Sequence, residues 1–95
     1  MTFPEQPELM VAIAKAESTL KEDAYNPEWH RDRNGNPICQ GSYGVLQVGC
    51  VNYIEDPTKL HDVDFNLKIA RKVYDTQGIT AWGAYTNGSY KKYLV

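Results

Sequence analysis

No run of about 18 apolar residues occurs in this sequence, so it offers no transmembrane helix and no membrane insertion is expected. Positive charge is scarce. Ten Lys and Arg stand against twelve Asp and Glu, for a net charge of −2. That balance gives no electrostatic case for binding nucleic acid. The stretch from Met1 to Glu8 holds Pro4 and Pro7 and lacks an apolar core, so it does not read as a signal peptide. Export by another route, or descent from a longer chain, fits it better. Soft metal ligands are few: His30, Cys39, Cys50 and His61 form no Cys-x-x-Cys or His-x-x-x-His pair, which argues against zinc. Asp32 to Asn36 looks like part of a calcium loop, but its Gly is misplaced and the closing Glu is missing. No metal or other cofactor is expected. There is no internal repeat and no low-complexity tract.

What is present points to a folded globule. Ninety-five residues suit one domain over 1–95, with a modest core. Two Trp and seven Tyr argue against disorder. The two cysteines, Cys39 and Cys50, bracket the block Gly41 to Val48. A disulfide there would clamp that block; two buried free thiols, as in a cytosolic protein, are the alternative.

The fold is expected to be mainly α, with a small β-hairpin or irregular loop. Leu9, Ile13, Ala16 and Leu20 form one stripe of a helix from about Glu5 to Leu20. Residues 22–40 read as a loop with a hairpin at Asn34-Gly35. Tyr43 to Val48 is expected as a short helix or turn, and Cys50 to Ile54 as a helical turn. Asp62 or Asp64 looks like the N-cap of a second long helix ending near Gly78. Ile79 to Tyr85 and Ser89 to Leu94 read as short helical segments. Asn87-Gly88-Ser89 matches a glycosylation sequon and is read as a turn and helix cap.

Glu17 carries the chemical interest. It falls on the apolar side of the first helix, where burial disfavours the charged carboxylate and keeps the acid protonated near neutral pH. The Gly41–Val48 block can approach a ligand closely and brings Gln47 with it. A weakly acidic Glu facing such a loop suits cleavage of a glycosidic bond.

Together these segments resemble the lysozyme-like superfamily, in its soluble lytic transglycosylase and goose-type lysozyme branch. The resemblance runs from about residue 9 to residue 94. It rests on Glu17-Ser18, on Gly41 to Val48, on Asn66-Leu67 with Ala70, and on Ala84-Tyr85-Thr86-Asn87-Gly88. Val45 stands where Leu is commoner, and Thr86 interrupts the Ala-Tyr-Asn string.

The resemblance implies a compact lysozyme-like domain that cuts the bond between N-acetylmuramic acid and N-acetylglucosamine in peptidoglycan. Glu17 would be the general acid. In a transglycosylase it then acts as base on the sugar's own 6-hydroxyl, a route that needs no second carboxylate. Ser18 would orient Glu17 or bond to the Gly-rich block. Gln47 would meet an N-acetyl group, and the Tyr85 hydroxyl would approach Glu17. Tyr43, and less so Trp82, would stack on sugar faces.

Asp23, Asp32, Glu55, Asp62 and Asp64 are the candidates for a second acid, and each has a plain reading: Asp23 caps or turns, Asp32 supports the Asn-Gly hairpin, and Asp62 and Asp64 look like N-caps. Their weakness favours the transglycosylase route. A monomer working outside the cytoplasm (secreted, periplasmic or phage-associated) is expected. The competing functions are a glycan-binding module without catalysis and a partner-binding domain of a phage or secretion assembly.

Overall fold

Helix α1 spans Pro7–Ser18 in the computed structural model, which describes residues 3–94. Met1, Thr2 and Val95, at the ends of the expected 1–95 domain, lie outside the described residues. Pro7 opens the helix, where its missing N–H would have had no partner anyway. The helix stops before Leu20 because Thr19 and Leu20 both turn left-handed, with φ of 54° and 63°. Leu20 therefore leaves the expected apolar stripe and is half exposed. Met10, Ala12, Ile13 and Ala14 form the buried face instead.

The expectation of a mainly α, lysozyme-like domain is corrected here. Residues 25–49 form a three-stranded antiparallel sheet in the order β1-β2-β3: Tyr25–Arg31, Pro37–Tyr43 and Val48–Gly49. The chain is helix-rich, but this sheet is a substantial part of it. Asp32 closes the β1–β2 hairpin, its Oδ1 accepting from the N–H groups of Asn34 at 2.9 Å and Asn36 at 3.0 Å.

The physical reason for the discrepancy lies in β1. It is exposed along nearly all its length, so it lacks the apolar alternation that reveals a half-buried strand. It also contains Pro27, which is tolerated because β1 is an edge strand whose register slips between Asn26 and Trp29.

Helix α2 spans Val63–Gln77. Asp62 caps it, accepting from the Phe65 N–H at 2.8 Å. Gly78 ends it, donating its N–H to the Tyr74 carbonyl at 2.9 Å. The expected helical segment from Ile79 to Tyr85 is interrupted. A 3-10 turn at Ile79–Ala81 and the short helix α3, Gly83–Thr86, flank an extended Trp82. A further 3-10 turn covers Ser89–Tyr93.

The core gathers Met10 and Ile13 of α1, Leu46 and Val48 of the Gly-rich block, Leu60, Ile69 of α2 and Trp82. Polar groups fix the block to this core at three points. Asn66, fully buried, donates to the carbonyls of Tyr43 and Leu60, both at 2.8 Å, and accepts from the Leu46 N–H at 3.3 Å. The Trp82 indole donates to the Leu46 carbonyl at 2.8 Å. Ser18 Oγ lies 2.7 Å from the Val45 carbonyl. Gly44, with φ of 78°, has no room for a side chain: a Cβ would collide with the Leu60 carbonyl and the Asn66 amide. Cys39 and Cys50 are bridged, tying β2 to the 3-10 turn after β3.

Candidate active site

A cleft of about 480 Å³ runs between the sheet and the helical part. Glu17, in the last turn of α1, stands on one side of it with Trp82 and Gly83 at the entry to α3. Gln47, Val48 and Gly49 also line it. From the sheet come Asn26, Glu28 and His30 of β1, together with Ser42 of β2.

Glu17 is partly buried, and burial pushes its carboxyl above the ordinary glutamate value of 4.5. The Ala84 backbone N–H opposes the shift by stabilising the anion. The charge of Glu28 across the cleft adds to it. Glu17 is thus an acid that keeps its proton to higher pH, set at the edge of a solvent-reachable space.

Gln47 sits in a left-handed conformation, φ 47°, at the end of the turn that begins at Gly44. Its amide nitrogen donates to the carbonyls of Gly44 at 2.9 Å and Ala24 at 3.2 Å. Those bonds brace the turn at the cleft.

The other residues singled out from the sequence stand elsewhere. Ser18 is buried, and its hydroxyl is engaged by the Val45 and Ala14 carbonyls. It holds α1 to the Gly-rich block and does not line the cleft. Tyr43 turns its ring toward Tyr25 and His61, and its hydroxyl donates to the Gln40 carbonyl at 3.3 Å. Tyr85 stacks on Tyr90 with ring centroids 5.1 Å apart. Neither tyrosine lines the cleft. Trp82 does, but as a buried residue whose indole N–H is already committed. Among the acids weighed as a partner for Glu17, Asp32 closes the hairpin, Asp62 caps α2, and none lines the cleft.

Glu28 was missed, and so was its support. Ser42, buried, donates to Glu28 Oε1 at 2.7 Å. His30 Nε2 lies 3.5 Å from Ser42 Oγ and 3.1 Å from the Gly41 carbonyl. The signal that could have found Glu28 is the spacing Asn26, Glu28, His30, three polar side chains at period two; all three line the cleft although the register slips between Asn26 and Trp29.

Comparison with protein-family models, curated proteins and solved structures finds no match to this chain.

Proposed function

We propose that this protein is a glycosidase that cuts peptidoglycan between N-acetylmuramic acid and N-acetylglucosamine, with Glu17 as proton donor. The observation that carries the proposal is the position of Glu17: an acid raised by burial, on the wall of an open cleft. General acid catalysis works best when the donor is still protonated near the working pH, and burial is how a carboxyl gets there. The cleft takes a sugar ring between the sheet wall and the Glu17 side. Gln47, which lines the cleft, would meet an acetamido group there. The resemblance of Glu17-Ser18, Gly41 to Val48 and Ala84 to Gly88 to lysozyme-like sequences supports the same substrate class. The Cys39–Cys50 disulfide suits a protein working in an oxidising compartment, where this substrate lies. None of the described helices is long and apolar enough to cross a membrane.

The test is turbidity loss of a purified peptidoglycan suspension, with binding followed separately by pelleting. The parent protein is expected to clear the suspension, and Glu17→Gln to pellet with it without clearing it. A parent that pellets but never clears would make the protein a glycan-binding module and end the enzyme assignment.

A further inference from the structure

Glu28 is held in a way that a merely solvated carboxylate is not. It lines the same cleft as Glu17, from strand β1, close enough for its charge to act on the Glu17 carboxyl. From the neighbouring strand, buried Ser42 donates to its Oε1 at 2.7 Å. Behind them the His30 ring packs against Gly49 so closely that a Cβ there would come within 2.7 Å of the ring's Cε1. Ser42 Oγ donates to the Glu28 carboxylate at 2.7 Å, and the His30 Nε2 that lies 3.5 Å from it also lies 3.1 Å from the Gly41 carbonyl, to which a ring nitrogen can only donate. A nitrogen that carries its proton cannot act as base for a serine, so this cluster is not a serine triad. It is a carboxylate fixed in place.

Resting on the glycosidase reading of the cleft, we propose that Glu28 is a second catalytic residue, the base that activates water, and that the reaction is therefore hydrolysis and not transglycosylation. Glu17 gives its proton to the glycosidic oxygen. The bond from that oxygen to the anomeric carbon breaks, and its electron pair becomes part of the new hydroxyl. A water oxygen bonds to the anomeric carbon and passes one proton to Glu28. One water is consumed, and the new end is a reducing hemiacetal. Glu17 is left ionised and Glu28 protonated, and exchange with solvent resets both. Two carboxyl groups lining one cleft suit this chemistry. Without the second base, the 6-hydroxyl of the sugar is the nucleophile and the new end is a 1,6-anhydro ring, lighter by one water. Ser42 is a positioning residue for Glu28.

Mass analysis of fragments from purified peptidoglycan separates the two routes. The parent protein is expected to release reducing ends. Glu28→Gln, at an exposed position where the amide still accepts from Ser42, is expected to lower their yield by roughly 10²–10⁴-fold and to move residual turnover toward anhydro ends. Ser42→Ala, which loosens Glu28 without removing it, moves the ratio of ends in the same direction by less; an unchanged ratio removes Ser42 from the mechanism. Anhydro ends from the parent, or reducing ends from Glu28→Gln at the parental rate, overturn the role of Glu28. If Glu17→Gln is still dead in those cases, the glycosidase assignment stands without it. A parent that releases nothing overturns both.

Discussion

Glu17 links stability to pH with a definite sign. Its folded-state value lies above the unfolded 4.5 because burial penalises the anion. The stabilisation from the protonated acid is therefore fully present below about pH 4.5 and is lost as the pH rises through the raised folded value. Glu17→Gln cannot ionise and keeps its environment neutral throughout. Thermal midpoints across a pH series are expected to show the variant gaining on the parent from mildly acidic to neutral pH. A constant gap would mean that the carboxyl is not desolvated. Asn66 is the other single residue on which the site depends. Asn66→Ala leaves the Leu46 N–H and the Tyr43 and Leu60 carbonyls without their partner. Each stranded buried group costs about 1–3 kcal/mol, so a loss of at least ~2 kcal/mol in denaturant unfolding is expected. Asn66→Asp is expected to do no better, because a carboxylate cannot donate to two carbonyls. A loss under ~0.5 kcal/mol for Asn66→Ala would show that the Gly-rich block is held by packing alone.

At the scale of elements, the cleft depends on keeping the sheet in register against the helical part. The Cys39–Cys50 bridge closes a loop with a sequence separation of 11, from β2 to the turn after β3. Restricting the unfolded chain with a loop of this size is worth roughly 2–4 kcal/mol. For a domain of this length that corresponds to a fall in thermal midpoint of about 10–20 °C. The double variant Cys39→Ser/Cys50→Ser is expected to show that fall; a midpoint within ~2 °C of the parent's would assign the clamp to the hydrogen bonds of Asn66 and Trp82. The elements were unequally legible. Helix α2 declared itself through Asp62, Gly78 and the apolar spacing of Ile69, Ala70 and Val73, all local signals. Strand β1 did not, because its partners on β2 lie up to 18 positions away and its exposed faces carry no hydrophobic phase. Tertiary pairing makes it a strand against the local signal of Pro27.

At the scale of the whole molecule, the helical part brings Glu17 to the cleft and the sheet brings Glu28. That Glu17 and Gln47 share one cleft was readable because motif order along the chain brings them forward. Glu28 was not, because a carboxylate in an Asn-Pro-Glu string reads as loop until the pleat of β1 assigns it a face. The same limit applies to Ser18, Tyr43 and Tyr85, whose directions depend on Val45, His61 and Tyr90 packing against them from distant parts of the chain. Because the proposed chemistry rests on an acid that keeps its proton above the ordinary glutamate range, the most direct measurement is the rate of peptidoglycan clearance against pH for the parent and Glu17→Gln. The parent's rate is expected to fall on the basic side with a midpoint above 4.5, and the variant to be slower by about 10²–10⁴-fold at the optimum. A variant that clears peptidoglycan as fast as the parent, with the same basic limb, would contradict the assignment of Glu17 as proton donor.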